Sequence, residues 1–216
     1  MKKKLLGVCI TVLVLALIAG STISYFTDTD SAKNVFTVGN VDIKLYETEV
    51  IKTADKGIAK WVKGDEKVSD LEYAGIFPGA FLPKDPTVEN IGSEAAYIRI
   101  NVKLPKTALV LFGVDDLSLL TEEAFGVVCG GYNPAFWSMS KSTIGDDIIL
   151  KFTADDIFAK GDVLTLFTSI TIPGGLTAEQ MMSIGDAGKF DMDITADAIQ
   201  AATFDNATEA FVAFDA

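Results

Sequence analysis

The nine residues Ala96–Leu104, "AYIRINVKL", decide the fold class. Ala96, Ile98, Ile100, Val102 and Leu104 alternate with Tyr97, Arg99, Asn101 and Lys103. A period of two sends successive side chains to opposite faces of a strand, whereas a helix repeats every three to four residues. One row is apolar and the other polar, as in a strand that buries one face only. The pattern recurs at Lys189–Ala201, "KFDMDITADAIQA". There Phe190, Met192, Ile194, Ala196 and Ala198 face in, and Asp191, Asp193, Thr195 and Asp197 face out. It also recurs in "VFTVGNVDIKLYE", Val35–Glu47, where Val41, Ile43 and Leu45 oppose Asp42, Lys44 and Tyr46.

Working outward, "DIILKF" from Asp147 and "DVLTLFTSITIPGG" from Asp162 read as further strands, with Leu164, Leu166, Ile170 and Ile172 on one face. Pro78-Gly79 is a turn pair. "NIGS", Asn90–Ser93, reads as a hairpin connection between Thr87–Glu89 and Ala95–Leu104, with Asn90 and Gly92 free to take positive φ. Thr53–Asp70 is lysine-rich and reads as a surface connection with a short hairpin near Trp61 and Val62. Two helical stretches are expected. One spans Leu117–Phe125, where Leu117, Leu120 and Ala124 share a face, and the other is opened by Thr177 as N-cap. Many short strands, polar turns and one chain-long core predict an antiparallel β-sandwich with one or two short helices, a single domain over 35–216.

The first 24 residues stand apart. "MKKK" is basic, Leu5–Gly20 is unbroken apolar sequence, and Thr22 and Ser24 supply small residues at the −3 and −1 positions of a cut between Ser24 and Tyr25. That pattern predicts a secretory signal peptide over 1–24. The alternative is an uncleaved membrane anchor, with Lys2–Lys4 on the inner side. The chain of 216 residues carries 18 basic and 30 acidic residues, net −12. Losing Lys2, Lys3 and Lys4 would leave 15 basic against 30 acidic, net −15. Such a surface repels nucleic acid and anionic lipid. Cys129 would be the one remaining cysteine, so no intrachain disulfide is expected; an exported chain of that kind suits a Gram-positive bacterium or an archaeon.

The chain contains no histidine. A Ser-His-Asp or Cys-His arrangement and an H-E-x-x-H zinc motif are therefore excluded. No glycine-rich phosphate or dinucleotide motif occurs, so no cofactor is expected. Carboxylates remain: Asp115-Asp116, Asp146-Asp147, Asp155-Asp156 and the Asp191/Asp193 pair. They are candidates for calcium or for an acid-pair hydrolase. The simpler reading is a solvated acidic surface, so no catalytic or metal residue is assigned.

The junction carries a resemblance. "YFTDTDSAKNVFTVGNVDIKL" places Phe26, Asp28, Ser31, Asn34, Phe36, Gly39 and the following strand in the register of the mature start of the TasA/camelysin family. "FPGAFLPKDPTVENIGSEAAYIRINV" is similar to that family's proline-glycine turn and long strand, and "GKFDMDITADAIQA" to its closing strand. The matches cover roughly the first third of the mature chain and one later strand. The family consists of exported biofilm-fibre proteins, typically cut by a dedicated ER-type signal peptidase. The resemblance implies a jelly-roll sandwich, secretion to an extracellular matrix, and partners that are copies of the same chain and other matrix proteins. It also implies a donor strand, here residues 25–34, that inserts into the next subunit. Some camelysins are described as metalloproteases. With no zinc-ligating histidine in this chain, that activity is not carried over.

The rings at the junction fit a donor role. Ordering about eight residues costs roughly 1–2 kcal/mol each, while ladder hydrogen bonds return about 0.5–1.5 kcal/mol apiece. Buried side chains must then tip the balance, and one buried Phe contributes roughly 1.5–3 kcal/mol. Phe26 is the expected anchor, Tyr25 the second, with Asp28 following in the same segment. The other readings are a monomeric anchored adhesion module, whose rings form a membrane-interface belt, and the acid-pair hydrolase.

Overall fold

The computed structural model describes residues 27–30, 41–186 and 188–216, with side chains from residue 41 onward. Among the described residues twelve strands run in chain order: β1 Thr27–Asp30, β2 Ile43–Asp55, β3 Ile58–Val68, β4 Phe81–Pro83, β5 Thr87–Asn90, β6 Ala96–Pro105, β7 Cys129–Gly130, β8 Trp137–Ile144, β9 Asp147–Ala154, β10 Val163–Thr165, β11 Ser169–Thr171 and β12 Asp193–Gln200. Three short α-helices accompany them: α1 Glu122–Val128, α2 Ala178–Ser183 and α3 Ala207–Phe214. The strands form a five-stranded sheet ordered β1-β12-β6-β9-β8, a four-stranded sheet β10-β5-β2-β3 and a three-stranded sheet β4-β11-β7. Each pairing between these strands is antiparallel.

The alternation in β6, β9 and β12 builds the core. Ile98, Ile100 and Val102 of β6 register with Ala198, Ala196 and Ile194 of β12, and Ile100 and Val102 also with Phe152 and Leu150 of β9. This face packs against Ile43 and Val88 of the four-stranded sheet and Leu82, Cys129 and Ile170 of the three-stranded one. A sandwich follows, because each sheet has one apolar face to cover. Phe125 of α1 plugs one region, 4.7 to 5.9 Å centroid to centroid from Phe152, Tyr132, Phe112 and Phe167. Cys129 is fully buried as a small apolar residue, and burial pushes its thiol well above the ordinary value.

Several local expectations change. Thr53–Val68 lies within a long β2–β3 hairpin, turned at Lys56-Gly57 with φ of 50° and 82°. Two consecutive positive values are what a tight type I′ turn requires. Asn90–Ser93 does not close a hairpin. β5 pairs with β2 and β10, β6 pairs with β9 and β12, and the segment crosses between sheets. Neither Asn90 nor Gly92 takes a positive φ. The Asn90 amide holds the crossing instead, donating to the carbonyls of Glu94 and Phe158 and accepting from the Gly92 N–H. The Asp162–Gly175 stretch is broken into β10 and β11, which join different sheets. The expected helix at Leu117–Phe125 is a 3₁₀ turn, Leu117–Leu119, followed by α1, which Thr121 caps. Thr177 caps α2 as expected, within a reciprocal capping box with Gln180.

Candidate functional site

The element that bears on assembly is β1. It is four residues long and ends the five-stranded sheet, with Thr27 opposite Ile199, Asp28 opposite Ala198, Thr29 opposite Asp197 and Asp30 opposite Ala196. Ser24, Tyr25 and Phe26, the expected cut and anchors, lie outside the described residues, as does the expected strand start at Val35. Asp28, the third expected donor residue, lies in β1 on the edge of its own chain. Ladder bonds for four residues are worth about 2–6 kcal/mol and fixing their backbones costs about 4–8 kcal/mol. The pairing is thus close to balance, and a strand held this way is exchangeable.

Next to this edge lies an ionic cluster the sequence alternation does not announce. The outer row of β6 was expected to face solvent, yet Tyr97 and Arg99 are buried. Helix α3 covers them, with Phe211, Ala207 and Ala210 packing on Tyr97, Ile199 and Ala201. Arg99, 4% exposed, donates from Nε and Nη2 to Asp197 at 3.1 and 2.8 Å and from Nη1 and Nη2 to Asp215 at 2.9 Å. Its guanidinium lies 4.4 Å from the Phe211 ring centroid. Lys151 adds a 3.0 Å bond to Asp215. The segment around Asp215 is thereby clamped onto strands β6, β9 and β12, the last of which carries β1.

Hydrogen bonds from Arg99, opposed in part by burial, hold the Asp215 carboxyl at about 2, below its ordinary 3.8. A lowered folded value means stability present above the ordinary pKa and lost as pH falls through the folded one. Asp215→Asn is therefore expected to flatten the acid limb of stability between about pH 4 and pH 2. Urea unfolding across that range checks it, and an unchanged slope counts against the clamp.

A second cluster crosses the other sheets. Glu47 of β2 and Lys84, between β4 and β5, are both buried, and Lys84 Nζ stands 2.8 Å from each Glu47 oxygen. Burial pushes the Glu47 carboxyl up, and Lys84 opposes the rise only in part. The next residue, Asp85, accepts from Lys63 Nζ at 2.8 Å and from the Thr48 N–H and hydroxyl at 2.8 and 2.7 Å. Burial works against its ionisation, but these three donors hold it below the ordinary value. The Tyr73 hydroxyl donates to the Pro83 carbonyl. Trp61, read from sequence as part of a surface connection, is buried beside Tyr73 and Phe77.

Several of the carboxylates singled out as chemistry are otherwise engaged. Asp193 pairs with Lys103 at 2.9 Å, and Asp147 stands 3.7 Å from the same lysine. Asp116 caps Ser118, and Asp155 accepts from the Ser138 hydroxyl. Among the described residues no three His, Cys, Asp or Glu side chains come together as metal ligands.

The family model for the camelysin metallo-endopeptidases matches residues 1–63. No curated protein and no solved structure matches the chain. The matched span runs from the N-terminus through β1 and β2 into β3. The peptidase part of that description implies a metal, and the residues present do not fit one: the chain has no imidazole, and the Cys129 thiol is buried and resists ionisation. The junction that carries the resemblance lies within the matched span, and over residues 1–63 the chain is similar to the camelysin family.

Proposed function

We propose that the chain is an exported, non-enzymatic structural subunit of extracellular fibres. Similarity to the camelysin family over residues 1–63 supports an extracellular or cell-surface role. The finer reading is that a cut after Ser24 releases a segment over 25–34 whose leading rings, Tyr25 and Phe26, engage the next copy. The observation that carries it is the short edge strand β1, directly behind those rings and held by a near-balanced pairing. While 1–24 is attached, the leading end is tethered at the membrane, so the peptidase licenses assembly. A head-to-tail contact that does not close on itself gives a filament. Acidic surfaces then space filaments at low ionic strength and are screened at high salt.

A monomeric surface module is favoured by one feature, the placement of β1 on its own sheet. Electron microscopy of protein beginning at Tyr25 separates the two. Filaments are expected from the wild-type sequence and none from Phe26→Asp, with thermal unfolding unchanged. Filaments from both, or from neither, contradict the fibre reading.

A further inference from the structure

We infer that a trough at the β2–β3 hairpin binds acidic sugar residues, at a site independent of filament formation. Among the described strands, β3 ends the four-stranded sheet and β4 ends the three-stranded one. Between these two ends lies a trough of about 410 Å³, lined by Trp61, Phe77, Phe81 and Ile58 together with Asp55 and Lys60. An apolar lining with a few polar groups is the usual composition of a small-ligand site. Ile58 and Phe81 are 61% and 56% exposed. Large apolar side chains grouped on a surface mark a place where something binds.

Three features choose the chemistry of the occupant. The first is ring surface. Phe81 opens to solvent, and Phe77 lies 6.1 Å from Trp61, centroid to centroid. An aromatic face carries negative charge density, which attracts the polarised C–H groups on the flat side of a sugar ring. The second is an unpaired donor. Trp61 is 3% exposed, and its Nε1–H is buried without an acceptor among the described residues. A buried donor without a partner is costly, and a sugar oxygen seated on the floor would satisfy it. The third is charge. Residues 50–63 carry Lys52, Lys56, Lys60 and Lys63 against Asp55 alone, in a chain of net charge −12. A basic patch on an acidic protein draws anions to itself. Lys63 is engaged by Asp85 and Lys52 by the Ala74 carbonyl. The exposed side chains of Lys60 and Asp55 make no ion pair or hydrogen bond among the described residues. One trough thus presents a free cation and a free acceptor beside its rings. A carboxylate meets Lys60, and hydroxyls donate to Asp55. A purely apolar ligand would strand both polar groups, and a bare polyanion would leave the rings uncovered. A hexuronate supplies the C–H face, the hydroxyls and the carboxylate together.

Calorimetry tests the site on full-length mature protein carrying Phe26→Asp, which keeps filaments out of the readout. The probes are hexamers of galacturonate and of mannuronate, the carboxyl-reduced galacturonate hexamer, and polyphosphate. Saturable binding to at least one hexuronate is expected, several-fold tighter than to the carboxyl-reduced hexamer. Phe81→Ala should weaken it about tenfold, as removal of an aromatic anchor does. Lys60→Glu should abolish the preference for the acidic hexamer. Both side chains are exposed, so melting temperatures close to the parent's are expected; should Phe81→Ala lower the melting temperature, the lost preference in Lys60→Glu decides. Failure of both hexuronates to bind overturns the site. Binding that neither substitution changes, or that polyphosphate matches, also overturns it, since a charge patch alone would behave so. Each of these failures leaves the fibre reading standing, and absence of wild-type filaments leaves the sugar site standing.

Discussion

Arg99→Met is expected to destabilise the fold by about 3–5 kcal/mol, the range for breaking a buried ion pair and leaving one partner uncompensated. Arg99 serves two carboxylates, of which Asp197 is nearly as buried as Arg99 itself, whereas the Asp215 side chain is 43% exposed and can turn to water. The cost therefore sits on Asp197. Removing the guanidinium also takes away the surface on which Phe211 and Phe214 stack, so α3 loosens as well. For a chain of this size each kcal/mol corresponds to about 2–4 °C, giving a drop of about 6–20 °C. Calorimetry or urea unfolding measures it. Arg99→Met combined with Asp197→Leu should recover much of the loss, because the stranded charge is gone. A single substitution costing under about 1 kcal/mol would show that Arg99 is solvated.

Lys84→Met is expected to cost about 3–5 kcal/mol at neutral pH on the same grounds, but with the opposite pH dependence from the Asp215 clamp. Glu47 is left buried without its cation. Burial already raises its carboxyl, and removing Lys84 raises it further. A carboxyl whose folded pKa lies above its unfolded value binds a proton more readily in the native state. Stability then falls as pH rises from the unfolded to the folded value and recovers on acidification. The deficit of Lys84→Met should accordingly be largest well above the Glu47 value and shrink as pH falls toward the ordinary carboxylate range. Urea midpoints across that range for wild type and variant measure the difference. A deficit that stays constant or grows on acidification contradicts the placement of Glu47.

The strand faces were legible because alternation is a local signal. Ile98, Ile100 and Val102 point inward whatever lies elsewhere in the chain. What was not legible depends on distant partners. Tyr97 and Arg99 alternate as outward residues and are outward with respect to the sheet; they are buried because α3, more than a hundred residues later, lies across them. The stretch Val163–Ile172 shows the same dependence. Leu164, Leu166, Ile170 and Ile172 keep one phase, yet Leu164 pairs with Val88 and Ile170 with Leu82, so its two halves join separate sheets. Asn90 and Gly92 are turn-forming residue types, and only the Asn90 amide contacts with Glu94 and Phe158 decide that the segment crosses over. Glu47 and Lys84 sit among residues typical of surfaces, 37 positions apart. Of the proposed site, the junction was visible as a pair of rings ahead of an acidic strand.

On the proposed reading the leading rings settle in another copy of the molecule. A photo-crosslinking residue at position 26, in a one-to-one mixture of isotopically heavy and light protein beginning at Tyr25, tests it directly. Cross-linked peptides of mixed label, formed under filament conditions and joining position 26 to a second copy, are expected. Cross-links confined to pairs of the same label, joining position 26 to its own chain, would contradict it.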